Sequence, residues 1–286
     1  MSAAALAQRF VSLVRLEHTV FALPYAYVGA ILAVDGWPGI SAMGWITVAM
    51  VGARSFAMAV NRLVDAAIDA RNPRTAGREL PAGRLTRSQV IVFAIASLAV
   101  FIIGVSQLAP ITRWLAPFVV IPMIIYPYLK RYTPLCHFWL GAVDGLAPVG
   151  GWVAVTGHFD PAAWVLGAAV ACWIAGFDII YATMDIDIDR AEGLHSVPAD
   201  YGITRALWIS RALHVLSVIA MAAVGLMLGL GPIYAIGVVA VAALLAYEQQ
   251  LVSPTDLSRV NMAFLSVNGV IAMLYLAAVS LDVALS

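Results

Sequence analysis

Residues 54–69 read Arg54-Ser55-Phe56-Ala57-Met58-Ala59-Val60-Asn61-Arg62-Leu63-Val64-Asp65-Ala66-Ala67-Ile68-Asp69, and they decide what kind of fold this chain can adopt. The stretch is the end of an apolar run over 40–64, and it finishes in acid. Asn61, Asp65 and Asp69 are spaced i, i+4 and i+8, so on a helix they form one stripe. A second run, 162–186, is built alike and leads into Asp178-Ile179-Ile180-Tyr181-Ala182-Thr183-Met184-Asp185-Ile186-Asp187-Ile188-Asp189. On one continuous helix Asp178, Tyr181, Asp185 and Asp189 share a face, and Asp187 points away from it to solvent.

The composition says where such helices lie. Of 286 residues 63% are hydrophobic and 11% charged, with a mean hydropathy of +0.93. A soluble domain carries about a quarter charged residues, so the apolar excess must face lipid. A helix needs roughly 20 apolar residues to span a bilayer. Nine stretches approach that length: 18–34, 40–64, 88–108, 114–130, 136–156, 162–186, 203–228, 232–250 and 260–281. Turn signals such as Gly157-His158-Phe159-Asp160-Pro161 separate them, and Gly229-Leu230-Gly231-Pro232 is either a break or a kink. The expected fold is an all-α integral membrane protein, read as one membrane domain over 1–286. At the N-terminus Leu6, Phe10, Leu13 and Val14 recur at helical spacing, which makes 1–16 an interfacial segment. Arg9 and Arg15 flank that short apolar stretch, which is not the layout of a cleaved signal peptide.

Charge sets the orientation. The loops after the even-numbered spans hold Arg71, Arg74, Arg78, Arg84 and Arg87, then Lys130 and Arg131, then Arg190 and Arg205, then Arg259; in the others only Arg113 stands out. The positive-inside rule puts the basic loops and the N-terminus in the cytoplasm, with the protein multi-pass in the inner (plasma) membrane. The formal net charge is zero, so no basic field calls for nucleic acid, and no feature calls for an obligate protein partner. Cys136 and Cys172 lie in apolar stretches and make no disulfide framework.

Carboxylates at the ends of membrane helices are costly and mark function. Several on one stripe repel one another unless a cation sits among them. Oxygen donors select Mg²⁺ or a similar hard ion, which keeps waters and also takes phosphate oxygens. Asn61, Asp65, Asp69, Asp178, Asp185 and Asp189 are therefore candidate metal ligands. The halves also look related: Gly83-Arg84-Leu85-Thr86-Arg87 follows the first cluster as Gly202-Ile203-Thr204-Arg205 follows the second.

Three motifs now carry a resemblance. Asn61…Asp65…Asp69 followed by Arg74-Thr75-Ala76-Gly77-Arg78-Glu79-Leu80-Pro81-Ala82-Gly83, then Tyr126-Pro127-Tyr128-Leu129-Lys130-Arg131, then Asp178…Tyr181…Asp185…Asp189 resemble the ordered signatures of the UbiA superfamily of intramembrane aromatic prenyltransferases. The stretch from Tyr247-Glu248 to Val260-Asn261 is similar to the branch of 4-hydroxybenzoate polyprenyltransferases, including those of the futalosine route to menaquinone. The resemblance implies nine transmembrane helices in one bundle around a central cavity with a lateral opening to lipid. It implies Mg²⁺-dependent transfer of a polyprenyl group from polyprenyl diphosphate to an aromatic hydroxy acid, 4-hydroxybenzoate or a hydroxynaphthoate, in ubiquinone or menaquinone biosynthesis. Asn61, Asp65 and Asp69 would hold one Mg²⁺ and Asp185 and Asp189 a second. Arg74, Arg78, Tyr126, Lys130 and Tyr181 would contact the diphosphate. The catalytic set is Asp65, Asp69, Asp185, Asp189, Lys130 and Tyr181. His195 stands where many relatives carry lysine, and Glu79 where many carry proline; His195 would make one phosphate contact sensitive to pH.

Arg54, seven residues before Asn61, lies about 10 Å deeper by helix rise. It needs an anionic partner there. The candidates are the acceptor's carboxylate and Asp144, the acidic residue within the fifth span. His18 is assigned to a helix-end pair with Glu17, and His137 and His214 to snorkelling side chains near span ends. Trp114, Trp139, Trp152, Trp164 and Trp208 read as interfacial anchors. Gly141, Gly145, Gly150 and Gly151 read as points of close helix approach. Haem- or chlorophyll-type prenylation, a transporter and a phospholipid-forming phosphotransferase are the competing readings; acidic clusters split between two helix ends argue against the last two.

Overall fold

The structure, a computed structural model, describes residues 3–14 and 19–286. Twelve α-helices follow one another. They are α1 Ala3–Val14, α2 Thr19–Val34, α3 Ile40–Arg71, α4 Arg87–Ser106, α5 Ile111–Leu129, α6 Cys136–Thr156, α7 Pro161–Ala182, α8 Ile186–Ala191, α9 Val197–Tyr201, α10 Ile203–Leu228, α11 Pro232–Gln250 and α12 Asn268–Leu285. A 3₁₀ turn, Thr183–Asp185, joins α7 to α8, and a π-helical turn, Met262–Val267, precedes α12. Apart from one isolated bridge between Ser253 and Asp256, the described residues form no β-structure.

Each expected span has its helix, but eight among the described residues are long and apolar enough to cross a membrane, not nine. The exception is α2. As described it begins at Thr19, directly after residues that lie outside the described set. Residues 15–18, including Glu17 and His18 and the pair assigned to them, lie outside the described residues.

Local chemistry sets the ends. Thr86 and Gln89 form a reciprocal capping box at the start of α4. Asp160 accepts from the Ala162 amide at 2.7 Å and Pro161 opens α7. Gly229 ends α10 in the left-handed conformation with φ 65°, so residues 229–232 are a break rather than a kink. Asp282 on α12 then caps α11 from across the bundle, accepting from Gly231 N at 2.7 Å and Tyr234 N at 3.0 Å.

Small residues let the helices close on one another, as they must where packing alone drives association. A Cβ on Gly151 of α6 would stand 2.0 Å from the Ala26 carbonyl oxygen of α2. Gly141 and Gly145 meet α7 as closely, whereas Gly150 faces open space in the cavity described below. The largest core cluster joins α2, α7, α11 and α12 around Tyr25, Trp173 and Tyr275.

Three expectations about single residues are corrected. His137 and His214 do not snorkel; both are buried, His137 on Asp178 and His214 on Gln249. Trp152 is no interfacial anchor but part of the core, while Trp114, Trp164 and Trp208 are exposed. The second acidic cluster does not lie on one regular α-helix, because α7 stops at Ala182 and a 3₁₀ turn stands between it and α8, which carries Asp189.

Candidate active site

The first cluster sits as its spacing demands. Helix α3 runs unbroken to Arg71, so Asn61, Asp65 and Asp69 share a stripe, with both carboxylates buried. The second cluster reaches the same place by a different route, with Asp178 and Tyr181 on α7, Asp185 in the 3₁₀ turn and Asp189 on α8. Asp187 is exposed, as its phase requires. Three connections converge here: the turns after α3, the end of α5, and the segment from α7 to α9. The His195 amide donates to the Lys130 carbonyl at 2.7 Å, tying the second to the third.

Each carboxylate of the site is already engaged. Lys130 Nζ donates to Asp65 Oδ2 at 2.6 Å, and Arg131 Nη2 to Asp65 Oδ1 at 3.1 Å. Arg78 Nη1 donates to Asp69 Oδ1 at 2.7 Å. Arg74 forks onto both oxygens of Asp185, its Nε at 2.9 Å from Oδ1, and its Nη1 donates to Tyr181 Oη at 2.8 Å. Burial opposes the charge on Arg74, but the bonds to Asp185 and Tyr181 outweigh it and lift its pKa above the usual arginine value. Asp178 pairs with His137 Nδ1 at 2.7 Å. The Val197 amide donates to His137 Nε2 at 3.3 Å, which leaves Nδ1 to donate to Asp178. Asp189 accepts from Ser196 Oγ at 2.9 Å. His195 lines the same pocket, with Nδ1 on Asp200 at 2.9 Å.

Several of these partners carry no role in the sequence reading. Asn72 is buried, donates to Asp185 Oδ1 at 2.9 Å and accepts from the Arg74 amide at 2.9 Å, so it sets the turn that aims Arg74. Its one signal is the Asn72-Pro73 turn pair. Arg131 closes the middle motif and His137 and Ser196 stand outside the motifs; all three become carboxylate partners only in three dimensions.

These groups line a polar pocket of about 170 Å³. A larger cavity of about 300 Å³ adjoins it, mostly apolar, lined by α2 to α7 and the π-helical turn. Asn61, Arg62, Arg78, Tyr126, Asp178 and Tyr181 line both. Arg54 and Asp144 line the larger cavity yet form no salt bridge, and Arg54 Nε is buried without a hydrogen-bond partner.

Among the described residues no three His, Cys, Asp or Glu side chains converge to cage an ion. Mg²⁺ does not ask for such a cage; it is held by one or two carboxylates together with substrate phosphates. Asp69 Oδ2, buried and without a partner, is a free oxygen donor of that kind. The donor set therefore fits the ion.

Fold and site together define an all-helical, multi-pass membrane protein whose charged pocket opens on an apolar cavity. The profile of the UbiA prenyltransferase family matches residues 22–276, and the chain belongs to that family of prenyltransferase enzymes. It is 30% identical over 245 residues to a 4-hydroxybenzoate octaprenyltransferase of Saccharophagus degradans, covering 86% of this chain and 82% of the relative. A protein of that name from Shewanella halifaxensis is also 30% identical, over 247 residues, covering 86% of this chain and 85% of its own. Among solved structures, an apo UbiA homologue from Aeropyrum pernix K1 superposes with a TM-score of 0.85 at 35% identity, over 93% of this chain and 98% of that one. A UbiA homologue from Archaeoglobus fulgidus bound to DMAPP and Mg²⁺ shares the fold, with a TM-score of 0.76 at 19% identity, over 97% of this chain and all of that one (100%).

Proposed function

We propose that this chain, working as one domain over 1–286 in the inner membrane, moves a polyprenyl group from polyprenyl diphosphate to an aromatic hydroxy acid of quinone biosynthesis. The observation that carries the reading is the junction of the two cavities: bases and carboxylates suited to a diphosphate adjoin an apolar space suited to a prenyl chain and a ring. The name of the relatives from Saccharophagus and Shewanella supports 4-hydroxybenzoate as the acceptor. The basic loops beside the pocket support a cytoplasmic opening.

Arg74, Arg78, Lys130, Tyr126 and Tyr181 bind the diphosphate oxygens, and His195 adds a contact at the rim. In doing so the three bases leave Asp65, Asp69 and Asp185. Asn61, Asp65 and Asp69, with Asp185, Asp189 and the nearby Asp178, would hold Mg²⁺, whose charge would stabilise the departing diphosphate. The C1–O bond breaks with its electron pair going to the diphosphate oxygen, and C1 becomes an allylic cation. The acceptor ring attacks through the carbon beside its hydroxyl, a C–C bond forms, and that carbon releases its proton. The apolar cavity takes the tail and keeps water from the cation. Arg54 meets the carboxylate of the acceptor.

Purified protein in lipid, given Mg²⁺, labelled polyprenyl diphosphate and 4-hydroxybenzoate or a hydroxynaphthoate, is expected to form a labelled prenylated acid. Absence of any such product with either acceptor would overturn the reading.

A further inference from the structure

The segment before α12 departs from ordinary winding. Met262–Val267 form a π-helical turn, a rare, wide coil often found at functional sites. Its neighbour in sequence, Asn268, bonds directly to it. Asn268 is fully buried, and its Nδ2 lies 3.0 Å from the Ala263 carbonyl oxygen, 3.2 Å from that of Phe264 and 3.1 Å from Glu248 Oε1. Its Oδ1 accepts from Trp173 Nε1 at 2.7 Å. One amide thus ties the wide turn to both α11 and α7, through groups that would be costly to leave unpaired in a core.

The consequence is felt at Phe264. Its ring stacks on Tyr181 with centroids 4.1 Å apart and meets Phe177 edge-on at 5.4 Å. Phe264 lines only the apolar cavity, Tyr181 lines both cavities, and Arg74, with its guanidinium 5.2 Å from the Tyr181 centroid, lines only the polar one. The three side chains therefore run in order across the boundary. In a prenyl diphosphate the atom at that boundary is C1, which joins the charged head to the apolar tail.

Resting on the prenyl-transfer reading above, we propose that Phe264 is a further catalytic residue, the aromatic wall facing C1 as it ionises, and that Asn268 is its positioning residue. The face of an aromatic ring attracts a cation held against it, most strongly away from water. The same ring keeps water off C1. Water that reaches the cation forms a C–O bond there and loses a proton, giving free prenyl alcohol; ring attack gives the prenylated acid. The ratio of the two products reads the wall directly.

The test measures both products from labelled prenyl diphosphate with the full-length protein, Mg²⁺ and the aromatic acceptor. Phe264→Leu is expected to lower kcat by about tenfold, to leave KM for the prenyl diphosphate little changed, and to raise the share of prenyl alcohol. Phe264→Tyr keeps the native ratio. Asn268→Ala shifts the ratio in the same direction, and adding it to Phe264→Leu shifts it no further. Phe264→Met, close in volume and without a ring, takes the place of the leucine variant if that does not fold. A native ratio and native kcat in the ringless variant would overturn the role of Phe264. An Asn268→Ala protein that is less stable but keeps the native ratio would overturn the positioning role. A wild-type protein that makes no prenylated acid would overturn the prenyl-transfer reading instead, so the two failures are distinct.

Discussion

Lys130 Nζ lies 2.6 Å from Asp65 Oδ2, so a base at the end of α5 neutralises a carboxylate buried on α3. Arg78 does the same for Asp69, and Arg74 for Asp185. The chain balances its own acidic pocket, and each base in these pairs is also suited to a phosphate oxygen. On the proposed function, a diphosphate that took the bases would expose the carboxylates, and donor groups for a cation would become free as the anion arrived.

Metal removal should therefore separate activity from folding. Chelation is expected to abolish prenyl transfer and added Mg²⁺ to restore it, while the melting temperature barely moves because the metal-free pocket is already paired. An ion required by the fold would add stability by linkage, about 2.7 kcal/mol at a hundredfold excess over its Kd. A large fall in Tm on chelation would contradict this account. Asp65→Asn is expected to lower kcat by roughly 10²–10³-fold while costing the fold about 2 kcal/mol, with rates and thermal melts measured on one preparation.

Arg54 supports a separate prediction about the acceptor. It lines the apolar cavity with Asp144, and its buried Nε has no partner. A buried donor in that state is a ready site for an anion. Arg54→Met is expected to raise KM for a carboxylated acceptor by about tenfold or more and to leave KM for the prenyl diphosphate alone. Asp144→Asn, which removes a like charge, is expected to lower the acceptor's KM. Equal effects of Arg54→Met on both substrates would point to a structural role.

How much of this was legible in the sequence depended on the regularity of the backbone. The Asn61, Asp65 and Asp69 stripe could be read because α3 keeps its 3.6-residue period through Arg71. Past Ala182 a 3₁₀ turn tightens the winding, yet Asp178, Tyr181, Asp185 and Asp189 still line one pocket and Asp187 stays exposed, as the spacing predicts. Asn72 and His137 could not be found by spacing at all, since their carboxylate partners lie 113 and 41 residues away. Phe264 is hidden for a third reason: it lies in a π turn, which helical periodicity cannot foresee. Arg54 was legible as an anomaly of charge, but its lack of a bond to Asp144 needed the packed bundle.

Glu79 gives a dependence on pH outside the reaction. It is buried in the turns after α3 and paired there with Arg84, and it accepts from Ser12 Oγ at 2.7 Å, a bond that joins these turns to α1. Burial pushes its carboxyl up, and the bonds from Arg84 and Ser12 overcome this and hold it below the usual glutamate range. A carboxyl depressed in the folded state stabilises above its unfolded pKa of about 4.3, and that contribution fades as pH falls through the folded value. Glu79→Gln should accordingly reduce stability at neutral pH and make the loss on acidification shallower. Thermal melts from pH 7 down to pH 3 (roughly the span over which glutamates titrate) would test this; parallel curves for the two proteins would refute it.

Two neighbouring glycines on α6 are expected to behave in opposite ways. At Gly151 a Cβ would lie 2.0 Å from the Ala26 carbonyl oxygen, on backbone that cannot rotate aside. Gly151→Ala must therefore push α2 from α6, and overpacking of this kind costs about 1–3 kcal/mol. The expected readout is a lower Tm and lower yield, with the product unchanged in what folds. At Gly150 nothing lies within 4 Å, and the position lines the cavity. Gly150→Ala should then leave the Tm near native, and Gly150→Leu should fill space that the reading above gives to the tail or the ring. Its effect should appear in KM and in the chain lengths accepted rather than in stability, because side-chain volume is added where the fold has left room. Competition between short and long prenyl diphosphates would measure it. A Gly150→Leu protein that melts early but keeps native selectivity would mean that the cavity wall here serves packing and not substrate.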